Sequence, residues 1–228
     1  MVASEPMSLA AVRQVQLFRT LDEGQLHKVS RLLKERRYRK NEIIFHQDDP
    51  GGYLYIICSG RVRIYLAAPD GREVTLRIYG PDSAFGELSV LDGEARSASA
   101  AALEDVATYV LYREDFFNLL RESFALVEHT ITILVERVRY TTNYSEQLAF
   151  LSVPGRVAAL LVRLAGAEAE IQAPIRLELS QQELADFANT TREWVNRALH
   201  DFAAEGLVRI ERRAVVILDR EGLLARMT

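Results

Sequence analysis

The sequence predicts an α+β protein: an antiparallel jelly-roll barrel, a long helix, then a winged helix-turn-helix. Three observations carry that prediction. Between residues 38 and 111, short runs rich in Ile, Val and Tyr alternate with turn signals at 48–52, 69–71, 80–82 and 92–93. From 124 to 151 no Pro or Gly interrupts the chain, which permits a helix of six or seven turns. Residues 180–206 then place two short helical patterns on either side of Asn189-Thr190-Thr191. A length of 228 residues suffices for two ordinary domains. The expected division is 1–123 for the barrel with its leading helices, 124–151 for the long helix, and 152–228 for the C-terminal domain.

Each element has its own warrant. Residues 8–37 are expected to be short helices, because Leu17, Phe18, Leu21, Leu26, Val29, Leu32 and Leu33 recur near the helical period. In the barrel, Val62, Ile64 and Leu66 alternate with Arg63 and Tyr65, the pattern of a half-buried strand. Short, evenly separated strands of this kind suit a closed or double-sheet β architecture. Residues 113–120 read as a helix leading into the long one. Along the latter, Ile131, Leu134, Val138, Thr141, Ser145 and Leu148 step by 3, 4, 3, 4 and 3, which is a heptad seam. Its upper half is apolar and suits an identical helix, hence a homodimer; the alternative is packing on its own barrel. Ser152 is a good N-cap, with Pro154 in a tolerated first-turn position, so a new helix starts there and runs to Ala165. Residues 166–174 read as a loop.

Composition narrows the function. No apolar run approaches the ~20 residues that span a bilayer, and no basic-then-apolar leader is visible, so no membrane role and a cytoplasmic location are expected. A single cysteine, Cys58, excludes an intrachain disulfide and a four-cysteine iron–sulfur cluster. No metal cluster, P-loop or Ser-His-Asp order is present, so an enzyme is not expected. His27, His46, His129 and His200 offer no convincing pair of haem ligands. The net charge of −4 is awkward for a nucleic-acid binder. From Ser152 onward ten Arg face eleven Asp or Glu, so nucleic-acid binding must depend on where the arginines sit.

Residues 85–99 form the first constellation. Gly86 allows close backbone approach, and Glu87 can accept a hydrogen bond from a sugar hydroxyl. Arg96 offers a planar fork matched to phosphate oxygens, and Ser97 adds a neutral donor. Together they suit a small ligand carrying both a sugar hydroxyl and a phosphate.

The second constellation lies at 180–206. Ser180 and Glu183 have capping-box spacing, opening a helix with Leu184, Ala185 and Phe187 on its apolar face. Asn189 tolerates a left-handed turn, and Thr191 can cap the next helix. That helix buries Val195, Ala198, Leu199 and Phe202, and presents Arg192, Glu193, Asn196 and Arg197 near its start. This is the order of a major-groove reader. Arg192 and Arg197 can bind guanine O6 and N7, and Glu193 the amino group of cytosine. Thr191 suits a phosphate oxygen. Residues 208–210 and 214–217 form a hairpin around Glu211-Arg212-Arg213, a wing whose Arg212 and Arg213 can contact phosphates.

Three motifs in this order resemble the cyclic-AMP receptor (catabolite activator) branch of the CRP/FNR transcription factors over nearly the whole chain. They are Phe85-Gly86-Glu87-Leu88 with Arg96-Ser97-Ala98, the linker 148–157, and 191–197. The resemblance implies a double-stranded β-helix domain binding a cyclic nucleotide, with cyclic AMP as an allosteric ligand and not a catalytic cofactor. In it, Glu87 lies at the ribose and Arg96 and Ser97 at the cyclic phosphate, with Gly86 and Leu88 also in the ligand site. Thr141 and Thr142 lie at the adenine, one of them from the partner subunit. It further implies a bacterial homodimer on palindromic double-stranded DNA, with RNA polymerase as a partner. Trp194 departs from the family, which often carries a small Thr there, and Asn189 stands where a turn glycine is common. Two other readings compete: a ligand-independent regulator of the same family, and a nucleotide-sensing module whose winged helix docks a protein.

Overall fold

A computed structural model describes residues 7–71, 73–166 and 174–227. The chain divides into two compact units, Met1–Arg137 and Val138–Thr228. The first begins with α1 (Leu9–Gln14), a 3₁₀ turn (Gln16–Phe18) and α2 (Glu23–Leu32). Eight strands follow: β1 (Lys34–Tyr38), β2 (Ile43–Phe45), β3 (Tyr53–Ser59), β4 (Val62–Ala67), β5 (Glu73–Tyr79), β6 (Ala84–Phe85), β7 (Ser99–Ala102) and β8 (Val106–Tyr112). A short helix, α3 (Leu88–Asp92), separates β6 from β7, and α4 (Arg113–Glu122) leads into α5 (Phe124–Phe150).

The strands form two four-stranded antiparallel sheets, ordered β1-β8-β3-β6 and β2-β7-β4-β5. The predicted α+β class holds. Strand β3 shows why the sheets stack as they do. Its period of two sends Tyr55 and Ile57 into the space between the sheets, with Phe85, Val62 and Val110. It sends Leu54 and Ile56 to the other face, beneath Phe18, Leu26, Phe116 and Leu126 of the helices. Both faces are covered, so the strand reads as an unbroken apolar run.

One expected element differs. The helical pattern expected to run to residue 37 stops at Leu32, and Lys34–Tyr38 is a strand. This segment lies at a sheet edge and pairs only with β8, so Lys34, Arg36 and Arg37 stay in solvent and Glu35 is half-buried. Pairing along its whole length overrides the local helical preference of Lys, Glu and Arg.

The second unit contains the lower part of α5, then α6 (Val153–Ala165), β9 (Ile175–Leu177), α7 (Gln181–Ala188), α8 (Arg192–Ala204), β10 (Val208–Glu211), β11 (Ala214–Ile217) and α9 (Arg220–Leu224). Ser152 caps α6 by accepting from the Gly155 amide, with Pro in the first turn. Most of the loop expected over 166–174 lies outside the described residues. Ser180 and Glu183 close a reciprocal capping box on α7, and Asn189 ends that helix in the left-handed region at φ 46°. The expected hairpin gains a third strand, since β9 pairs antiparallel with β11. Leu160, Leu161, Leu184, Val195, Leu199, Phe202 and Ile217 form this unit's core. Among the described residues no helix is long and apolar enough to cross a membrane.

Burial pushes the Cys58 thiol up to about 11, with Glu35 and Asp82 adding to the effect. The neutral thiol therefore favours the fold. That contribution is complete below the unfolded thiol's pKa of ~8.5 and is lost as pH rises towards the folded value. Labelling of Cys58 by a disulfide reagent at pH 8 is expected to be about a hundredfold slower in the native protein than in urea. Equal rates in the two states would contradict this placement.

Candidate functional site

The cassette at 85–99 is built from turns that leave few degrees of freedom. Gly86 follows β6 with φ 75°, and a Cβ there would stand 2.6 Å from Nη1 of Arg96. Only glycine satisfies both constraints. Glu87 opens α3, and Gly93 ends it at φ 83°. The returning chain is clamped by paired backbone bonds, Arg96 N–H to Asp49 O and Asp48 N–H to Arg96 O, both 2.9 Å.

This clamp buries Arg96, which is 3% exposed. Its Nη1 donates to the Gly86 carbonyl at 2.7 Å and to Ser89 Oγ at 2.8 Å, and Nη2 donates to the Tyr53 carbonyl at 2.7 Å. The guanidinium lies 4.4 Å from the Phe45 ring centre and under 6 Å from those of Tyr53 and Tyr55. Burial pulls its pKa down, and Tyr55, Tyr53 and Glu87 oppose that pull. The fork expected to meet a phosphate is thus largely clasped by the chain's own acceptors. A buried guanidinium must find partners locally, and two backbone carbonyls are within reach.

Glu87 is 5% exposed, and its Oε1 pairs with Arg137 of α5, whose Nη2 also donates to the Ala84 carbonyl at 2.7 Å. Two polar atoms of the cassette remain buried without a hydrogen-bond partner: Oε2 of Glu87, an acceptor, and Nε of Arg96, a donor. Beside the Glu87–Arg137 pair, a cleft of about 30 Å³ is walled by Arg77, Tyr79 and Ser83. Between the sheets, Tyr55 stacks on Phe85 at 4.8 Å and 7°, with Phe45 at 6.0 Å from Phe85. Leu88 and Ser97 are exposed at the cassette's rim. Thr141 and Thr142 are exposed on α5 in the second unit, where Thr142 Oγ1 donates to Val138 O at 3.0 Å. Local motif reading missed Arg137, because it meets Glu87 only through the fold, fifty positions along the chain.

On α5 the expected seam is largely uncovered. Ile131, Val138, Thr141, Ser145 and Leu148 are exposed, and Leu134 is half-buried. The seam also extends further than expected, since Phe124 stands one heptad before Ile131 and is 74% exposed.

In the second unit, α8 buries Val195, Ala198, Leu199 and Phe202 and exposes Arg192, Glu193 and Arg197. The Thr191 hydroxyl caps the helix through the Trp194 amide at 3.4 Å. The Glu193 carboxyl is held below the usual range by its own backbone amide and by Thr191. Asn196 corrects the expectation of a free reader: it is half-buried and its Nδ2 donates to Gln181 Oε1 at 3.0 Å, tying α8 to α7. Arg212 and Arg213 are exposed at the turn between β10 and β11. An open cleft of about 430 Å³ brings Arg192 together with Arg212 and Arg213, against Ser180 and Gln182 at the start of α7.

The ion pairs show which arginines of this unit are already engaged. Arg176 is taken up by Glu178 and Glu211, Arg209 by Glu211, and Arg226 by Glu205. Among the described residues, no ion pair engages Arg192, Arg197, Arg212 or Arg213. Arg192, Arg212 and Arg213 are thus gathered in one cleft without an ion-pair partner among the described residues, with the exposed Glu193 beside Arg192.

Comparison with known proteins adds to this geometry. Residues 35–123 match the cyclic nucleotide-binding domain family, and residues 155–226 match the Crp-like helix-turn-helix domain family. The chain is 35% identical over 213 residues to a CRP-like cAMP-activated global transcriptional regulator of Mycobacterium tuberculosis, covering 92% of this chain and 95% of the relative. It is 36% identical over 194 residues to the cyclic AMP receptor protein of Thermus thermophilus, covering 85% and 88%. A solved structure of the c-di-GMP responsive global regulator CLP from Xanthomonas campestris superposes with a TM-score of 0.72 at 26% identity, covering 86% and 99%.

Removing the cation from the Glu87–Arg137 pair leaves a buried carboxylate without its partner. Arg137→Ala is expected to destabilise the first unit by about 1–3 kcal/mol in urea denaturation. In the Glu87→Ala background the same change is expected to cost far less. Additive losses would show that the pair does not act as a unit.

Proposed function

This chain belongs to the CRP/FNR family of DNA-binding transcription regulators, a non-enzymatic family, and carries a cyclic nucleotide-binding domain. We propose that it works as a homodimer in which cyclic AMP controls the grip on palindromic operators. Residues 1–123 sense the nucleotide, 124–151 pair the subunits, and 152–228 read DNA. The cellular setting is the bacterial cytoplasm, with RNA polymerase as the downstream partner.

The observation that carries this reading is the pair of orphaned buried atoms in the cassette, Glu87 Oε2 and Arg96 Nε. Each unsatisfied buried group costs on the order of 1–3 kcal/mol, and more when charged. One is an acceptor and the other a donor, so they call for a guest offering a hydroxyl and an anionic oxygen. A cyclic nucleotide carries both, on its ribose and its cyclic phosphate. In this reading Glu87 accepts from the ribose hydroxyl and Arg96 Nε donates to the phosphate, with Gly86 and Leu88 beside the ribose and Ser97 beside the phosphate. Thr141 and Thr142 complete the adenine end. Phe45 must yield, because its ring covers the guanidinium.

Exposed Phe124, Ile131 and Val138 repeat by sevens, and Leu148 lies on the same 3-4 seam, which supports pairing of two α5 helices. Each dimer then presents two α8 helices, which fit successive major grooves about 34 Å apart. Arg192, Arg197 and Glu193 read base edges, and Thr191, Arg212 and Arg213 hold phosphates. Control requires only that the nucleotide prefer one pairing of the subunits over the other.

A second reading has its own support. Arg96 already finds three acceptors within the protein, two of them backbone carbonyls, which suits a family member that binds DNA without a ligand. Calorimetry with cyclic AMP, cyclic GMP and cyclic di-GMP, followed by titration of a fluorescent operator, separates the two. Cyclic AMP is expected to bind and to tighten operator affinity by about 5- to 150-fold. Arg96→Leu is expected to abolish that dependence with the circular dichroism spectrum unchanged. No heat from any nucleotide, together with constant operator affinity, would establish the ligand-independent reading.

A further inference from the structure

The first turn of α8 carries a large ring that the domain core does not use. Trp194 is 46% exposed, whereas Val195, Ala198, Leu199 and Phe202 supply the buried face of the same helix. It is the only tryptophan of the chain. Three positions on, the Arg197 guanidinium lies 5.7 Å from the centre of the indole ring, within the range of a cation–π contact. Residues i and i+3 are neighbours on a helix surface, so the contact follows from their spacing.

We infer that Trp194 is a positioning residue for Arg197 and thereby sets how sharply this chain discriminates bases in its operator. An exposed arginine has many rotamers, and only those that aim its fork edge-on at a base give bidentate bonds to guanine O6 and N7. A flat indole beside the guanidinium attracts it and removes part of that freedom before DNA is met. Asn196, between the two, is already held by Gln181 of α7, so the helix start that carries both side chains is braced against its neighbour. The ring contributes no charge, so it changes preference between bases without adding to the phosphate-driven part of affinity. This inference rests on the assignment of Arg197 as a base reader.

The test measures binding to a selected operator and to its single-base variants, for the full-length protein with and without cyclic AMP. Arg197→Ala first identifies the position at which guanine preference is lost. Trp194→Thr is expected to weaken guanine preference at that same position by about two- to five-fold, the range of an exposed cation–π contact. Trp194→Phe, which keeps a ring, is expected to retain most of it. In the Arg197→Ala background, Trp194→Thr is expected to change nothing further there, and the salt dependence of binding is expected to stay constant throughout. If Arg197→Ala relaxes one position and Trp194→Thr leaves it untouched, or acts equally with and without Arg197, the positioning role is overturned while the reader assignment stands. If Arg197→Ala alters no base preference, the reader assignment fails, and the positioning role fails with it.

Discussion

Two opposite charges, Glu87 and Arg96, are kept out of water within one short stretch between β6 and β7, and the sensing half of the molecule is arranged around that burden. Each buried ion carries a desolvation penalty of several kcal/mol after relaxation. The fold offsets most of it with fixed partners: the Gly86 and Tyr53 carbonyls and Ser89 for Arg96, and Arg137 for Glu87. Those partners come from β3, the β6–α3 turn, α3 and α5, so the cassette links both a sheet and the long helix. Gly86 is irreplaceable for the same reason, since any side chain would collide with the guanidinium. What the partners leave over is one acceptor and one donor, the two atoms on which the proposed nucleotide site rests.

The DNA-reading half solves the opposite electrostatic problem. An acidic chain has to present cations to its partner, and it does so by where the arginines are placed instead of by excess charge. Glu178, Glu205 and Glu211 engage Arg176, Arg209 and Arg226, so the carboxylate of Glu211, at the base of the wing turn, is turned to Arg176 and Arg209. Arg192, Arg212 and Arg213 then share one open cleft with the capped start of α7, where the amide ends of the helix add a partial positive charge.

Much of this was legible in the sequence, for reasons that are local. The capping box at Ser180 and Glu183, the left-handed Asn189 and the cap at Thr191 are each decided within four residues, and each appears where the residue types require it. The turns that bound the strands, and Gly86 and Gly93 within the cassette, are legible for the same reason. What escaped is non-local. The strand at Lys34–Tyr38 owes its form to pairing with β8, which outweighs the helical preference of its charged residues. Arg137 becomes a partner of Glu87 only once α5 lies against β6. Asn196 has the chemistry of a base reader, but Gln181 reaches it first across the α7–α8 turn. Arg96 was identifiable as the key cation, yet its inward orientation depends on the Tyr53 carbonyl, which no sequence motif marks.

In the proposed function, the unpartnered Nε–H of Arg96 is the donor that meets an anionic oxygen. Nitrogen-15 NMR of the arginine Nε–H groups, with Arg96 assigned through Arg96→Lys, observes that atom directly. Titration with cyclic AMP is expected to move the Arg96 Nε–H resonance downfield and slow its exchange with water, as a charge-assisted hydrogen bond forms. An Arg96 Nε–H signal that stays fixed while cyclic AMP binds would contradict the account.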